Sequence, residues 1–301
     1  MKRNIYSYSK LWMIFFVLMG AACTNQVEDA IPVSSQPIEF SVQSDWKEIP
    51  NTRLNDGKTY FKKGDTIQIF GFHTSSSDSV KKFMYRVGEP ARGQKVGFDG
   101  KDWNYSPKRF WPKEGTLDFY ASYPDYSVLN EGDKMTYVQP DFNPLGVDLL
   151  WGLATDRKCA EAETVPIWMV HALARVDIRF DSSLGKIRQA IVSAYKSGYF
   201  LNAKSDGIPL WEVDDKTDIK ATISPDQGLT TIDDATVFIL PDKITGLKLS
   251  LLNGTEIDAS KEIKKHTFEA GKLYKLTISN GVQKKNTNSR SIAMSVRCVS
   301  E

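Results

Sequence analysis

Glu163–Asp181 reads ETVPIWMVHALARVDIRFD. Val170, Ala172, Ala174, Val176 and Ile178 recur at every second position, and Phe180 continues the series. A helix competes over WMVHALARV, because Ala and Leu suit both states. The unbroken alternation through Phe180 favours one long extended stretch, since a period of two marks a half-buried strand. On that choice the whole chain reads as β.

Outward from there the same pattern repeats. PIEFSVQS sets Ile38, Phe40 and Val42 against Glu39, Ser41 and Gln43. TIQIFGFHT, KKFMYRVGE and TLDFYASYP read as further strands, and VGFDGKDWNYS as a hairpin turning at Asp99-Gly100. DLLWGLATD reads as a strand leading into a loop. In the second half KIRQAIVSAY, ATISP, ATVFILPD, LKLSLLNG and FEAGKLYKLTIS are separated by Gly, Pro, Asp and Asn. Short strands with frequent turn signals argue for β-sandwiches, and no solenoid period is present. A border near Ala160–Pro166 divides the chain into halves that each suit one sandwich: 37–162 and 163–280. Residues 281–301 begin as a polar, cationic linker and end in RSIAMSVRCVSE, where Ile292, Met294, Val296 and Cys298 alternate. That last strand has no obvious place in the domain before it.

The first residues carry an address. Lys2 and Arg3 precede an apolar run from Leu11 to Ala22, too short to cross a bilayer as a helix, for which about 20 residues are needed. A basic start, a short apolar core and small residues form a secretory signal over 1–22. Gly20, Ala21 and Ala22 before Cys23 resemble a bacterial lipobox, with Gly20 where that motif more often has Leu. The resemblance implies cleavage before Cys23, acylation there and a stable lipid anchor. Residues 23–36 read as a flexible polar tether. Glu28 and Asp29 resemble the export signal of Bacteroidales surface lipoproteins. Of three cysteines, Cys159 and Cys298 remain; their spacing does not demand a disulfide.

Formal charge is +2 with 25% charged residues, so no basic excess points to nucleic acid. His73, His171 and His266 lie in separate segments without a metal-ligand spacing, and no nucleophile elbow or phosphate loop appears. Asp214-Asp215 and Asp233-Asp234 read as solvated turn residues. No catalytic residue, metal or cofactor is expected. Trp103, Trp111, Trp151 and Trp211 read first as core, with sugar stacking as the functional alternative.

Several stretches in order resemble the fimbrillin family of Bacteroidales. They are FKKGDTIQIFGF shortly after NTR, DWNYSPKRFWPKEGTLDFYASYP, DLLWGLATD with VHALARVDIRF, and FEAGKLYKLTIS. The resemblance runs from Ile38 to Ser279. It implies two transthyretin-like β-sandwich domains in an all-β chain, displayed as an outer-membrane lipoprotein or built into a fimbrium. It also implies a non-catalytic pilus subunit or adhesin whose partners are other subunits, joined by strand exchange, with a surface receptor or glycan beyond them. Arg53 matches the arginine after which a protease cuts in pilin members, opening a groove. Ile292, Met294, Val296 and Cys298 are the candidate donor strand. A surface glycan-binding lipoprotein is the alternative function.

Overall fold

The computed structural model describes residues 31–44, 61–75, 79–86, 89–125, 128–131, 134–138, 148–201, 210–281 and 293–300. It is built almost wholly of strands. In chain order these are β1 (Val33–Pro37), β2 (Phe40–Ser44), β3 (Thr66–Thr74), β4 (Val80–Arg86), β5 (Glu89–Phe98), β6 (Trp103–Asn104) and β7 (Phe110–Pro112). Next come β8 (Thr116–Tyr123), β9 (Val128–Glu131), β10 (Lys134–Val138), β11 (Leu150–Lys158), β12 (Val165–His171) and β13 (Ala174–Phe180). The rest are β14 (Ile187–Leu201), β15 (Glu212–Ile223), β16 (Asp234–Ile239), β17 (Ile244–Leu251), β18 (Glu256–Asp258), β19 (Leu273–Gly281) and β20 (Ala293–Ser300). One turn of α-helix, Ser260–Ile263, carries no sequence signal noted above; Ile263 anchors it in the core.

An eight-stranded sheet runs β2-β12-β11-β8-β3-β4-β5-β6. It wraps around its own core, which gathers Ile38, Phe40, Ile69, Trp111, Phe119 and Met169 among others. Its ends meet, for the Phe40 ring lies 5.9 Å from that of Tyr105, just past β6. β1 and β7 form a separate two-stranded ribbon. In the second half a four-stranded sheet, β16-β13-β19-β20, faces a six-stranded one, β18-β17-β14-β10-β9 with β15 also on β14. Val176, Val237 and Leu276 from the first meet Val192, Ile244 and Leu249 from the second in a sandwich core.

A third apolar cluster joins the two. Phe70, Tyr120 and Trp151 on the outer face of the eight-stranded sheet meet Ala172, Leu173, Phe238 and Leu240. Trp211 seals it, its indole N–H donating to the Ala172 carbonyl at 2.6 Å. The β9–β10 hairpin crosses the same seam, pairing β10 with the end of β14 from Val138↔Ser197 to Lys134↔Leu201.

Three expectations change. The long stretch through Phe180 is two strands in different sheets. Val165, Ile167 and Met169 point inward in β12, whereas Ala174, Val176 and Ile178 do so in β13. The inward parity switches at Ala172–Leu173, both fully enclosed by the third cluster. The end of the expected tether is β1, held because Lys113 N–H donates to the Pro32 carbonyl at 2.9 Å and Val33 pairs with Pro112. The closing strand does have a place: β20 pairs antiparallel with β19 from Gly281↔Ala293 to Tyr274↔Ser300.

Candidate strand-exchange site

β2 is an edge strand, and it is paired parallel to β12, Val165↔Phe40 through Met169↔Ser44. The alternation of PIEFSVQS sends Ile38, Phe40 and Val42 inward at 0%, 6% and 8% exposure. Phe40 meets Phe119 edge-on at 5.4 Å, an arrangement that aromatic quadrupoles favour. Hydrogen bonds fix the register. Val165 N–H donates to the Glu39 carbonyl at 2.8 Å, Ile38 N–H to the Arg109 carbonyl at 2.9 Å, and Tyr105 Oη–H to the Ile38 carbonyl at 2.8 Å. Burial of each such side chain contributes roughly 1.5–3 kcal/mol.

β2 with the preceding Ile38 is thus a plug: three apolar side chains fill slots in the first core, and one ladder joins β2 to β12. Its outer positions, Ser41 and Gln43, are exposed. Opposite Gln43 stands Trp168, 51% exposed. Sequence reading missed Trp168, because it placed Val170 and Ala172 on one inward face. The odd-numbered series Val165, Ile167, Met169 was the signal that puts Trp168 outside.

Of the residues singled out by sequence, Cys23, Arg53 and Ile292 lie outside the described residues. Met294, Val296 and Cys298 fall on β20, at the edge of the four-stranded sheet and opposite Asn280, Ile278 and Leu276 of β19. The fold therefore separates the two halves of the candidate site: the plug closes the first core, and the C-terminal strand extends the second. Cys159 is a free thiol in the first core, and burial pushes its pKa up to about 11, which leaves little thiolate to react.

The other candidates resolve into structure. Trp103, Trp111 and Trp151 are buried in the cores, and half-buried Trp211 is tied to the seam by its indole N–H. His73 is buried with its Nε2 2.9 Å from the Glu114 carbonyl. His171 Nδ1 pairs with the buried Asp148 carboxylate beside the seam. Among the described residues no group of three or more His, Cys, Asp or Glu side chains is placed to hold a metal ion. No helix among them is long and apolar enough to cross a membrane. On β8, burial and then the neighbouring Asp156 charge raise the pKa of Asp118, whose Oδ1 accepts the Asp156 N–H at 2.7 Å. Asp215 is not a turn residue as expected but lies in β15 opposite Ser197 of β14, where the register shifts, and hydrogen bonds from Thr217 hold its carboxyl below the usual carboxylate range.

A search among curated proteins finds no match by sequence. Solved structures do match in fold. A candidate cell adhesion protein from Bacteroides uniformis superposes with a TM-score of 0.56 at 16% identity, over 88% of this chain and 97% of that one. A second from Bacteroides ovatus gives 0.53 at 14% identity, over 88% and 96%. The family model described as fimbrillin-like matches residues 52–294, from just after the plug strand to the start of β20. With its all-β architecture and that match across most of its length, the chain belongs to the fimbrillin-like family.

Proposed function

We propose that this protein is a non-catalytic pilus subunit or adhesin, exported as a lipoprotein on Cys23 and assembled at the cell surface by strand exchange. Each of the two larger cores is read as one β-sandwich domain; the expected border was 162/163, and the switch of inward parity at Ala172–Leu173 supports one slightly later in the chain. A cut after Arg53 detaches everything before it from the body, β1 and β2 included. That opens three apolar slots and the backbone edge of β12. An open edge beside apolar slots is a ready template for another chain's strand.

The single observation that carries this reading is β2 itself. It is short, at the edge and upstream of Arg53, and with the preceding Ile38 it is held by one parallel ladder, three buried side chains and the hydrogen bonds of Ile38 to Arg109 and Tyr105. The donor is the C-terminal strand of another subunit, parked on its own β19 until an open slot appears. A heterologous contact of this kind propagates as a filament. Without the cut, β2 keeps the edge closed and the lipid holds the protein as an anchor or accessory subunit.

The test is direct. Purified protein treated with an Arg-specific protease is expected to form ladders that resist SDS without boiling, while untreated protein does not. Trimmed protein that stays monomeric at high concentration overturns the pilin reading.

A further inference from the structure

The β12 edge has an outer face as well as a core face. Trp168 stands on the outer face with Gln43 opposite on one side and Leu153 on the other. Beyond Leu153 the row continues inward to Tyr120 and Phe70. Among the described residues Trp168 is the one exposed tryptophan, and β2 covers it only with polar Gln43.

The chain holds a second copy of the β2 pattern. Residues 38–44 read IEFSVQS and residues 292–298 read IAMSVRC. Superposed in the same direction, Ile292 falls at the Ile38 slot, Met294 at Phe40 and Val296 at Val42. Ser295 falls at Ser41, and Arg297 at Gln43, opposite Trp168. Two slots receive the identical side chain, and methionine, the most adaptable apolar residue, takes the aromatic one. Reversed, the strand fits badly. Val296 leaves a void in the Phe40 slot, Met294 overfills the Val42 slot, and Cys298 underfills that of Ile38. Reversal also moves Arg297 to the Glu39 position and sets Ala293 opposite Trp168.

We infer that the C-terminal strand of a second copy of this chain enters parallel to β12, in the register of β2, with the Arg297 guanidinium stacked on Trp168. This deepens the strand-exchange reading and rests on it. A planar guanidinium over an indole is attracted by the ring quadrupole and loses little hydration there. Gln43 gives the resident plug no such contact. Trp168 is therefore a specificity residue: it favours a strand with a cation at this position over the plug and over the reversed strand.

Cysteine pairs separate the outcomes. Two full-length variants in a Cys298→Ser background, T164C/A293C and T164C/R297C, keep Trp168 and are trimmed at Arg53, assembled and gently oxidised. Thr164 is exposed beside the Glu39 position, which Ala293 takes in the parallel register and Arg297 in the reversed one, so cross-linking between chains through A293C is expected. Cross-linking through R297C alone, or assembly with neither cross-link, overturns the parallel register while strand exchange stands. No assembly overturns strand exchange itself. A peptide of residues 291–300 titrated onto trimmed protein gives the second readout. Arg297→Ala in the peptide is expected to weaken binding by about 2- to 5-fold, a loss that vanishes on a Trp168→Ala acceptor. An equal loss on both acceptors refutes the Trp168–Arg297 contact.

Discussion

Removing the plug strand has a calculable effect on the rest of the molecule. Ile38, Phe40 and Val42 are at most 8% exposed, so proteolysis after Arg53 and release of the N-terminal piece strips three well-buried side chains from the first core. At roughly 1.5–3 kcal/mol each, their burial contributes about 5–9 kcal/mol, an upper figure because an unfolded chain is already partly compact. Whole domains are stable by about 5–15 kcal/mol, so the trimmed unit stands near its limit. For a chain of this size each kcal/mol shifts the melting temperature by about 2–4 °C. Scanning calorimetry at concentrations low enough to keep chains apart is therefore expected to show a drop of roughly 10 °C or more. The peptide of residues 291–300, added in excess, should restore most of it by binding only the folded state. A trimmed monomer that melts within a degree or two of the intact chain, or that ignores the peptide, refutes the claim that β2 fills a slot the C-terminal strand can refill.

Other perturbations probe the surroundings of the site. A Cβ on Gly152 would lie 2.7 Å from the Trp168 carbonyl oxygen and 2.8 Å from a methyl of Ile167, so Gly152→Ala must push β11 from β12. It is expected to cost about 1–3 kcal/mol in urea denaturation and to slow assembly of trimmed protein. Trp211→Phe removes the bond to the Ala172 carbonyl and should cost roughly 1 kcal/mol, read as lost protection of the seam in hydrogen exchange. Asp118 has a raised folded-state pKa, chiefly from burial, so its ionisation opposes folding. The deficit is absent below the unfolded-state value of about 3.9 and complete above the folded-state value, so Asp118→Asn should raise the melting temperature at pH 7. That gain should fade as melts are repeated toward pH 3, and a gain that persists there contradicts the assignment.

Much of the fold was legible because a period of two survives in isolated strands. PIEFSVQS gave its buried face correctly, and the turn at Asp99-Gly100 closes as expected, with Asp99 Oδ1 accepting the N–H groups of Lys101 and Asp102. What failed was parity across a junction. From Met169 to Val176 the chain leaves one sheet for another, and Ala172 and Leu173 are both buried by a third cluster rather than alternating. No local pattern reports that, because the residues enclosing them, Phe70, Tyr120 and Phe238, are distant in sequence. The error hid Trp168. The plug was likewise visible only as a strand, since its edge position depends on a parallel pairing with residues far along the chain. The partner of β20 was invisible for the same reason, with a polar linker separating it from β19.

Hydrogen exchange on assembled, trimmed protein compares the two places where the C-terminal strand can sit. In the intact chain β12 is paired with β2, and β19 with β20. Trimming alone should release the amides of Val165–Met169 that face β2, Val165 among them, and leave Leu273–Gly281 unchanged. On assembly the β12 amides are expected to regain protection while those of β19 facing β20 lose it, because the strand has moved to the next subunit. An assembled form in which β19 stays protected and the β12 edge stays open would contradict exchange of this strand as the link between subunits.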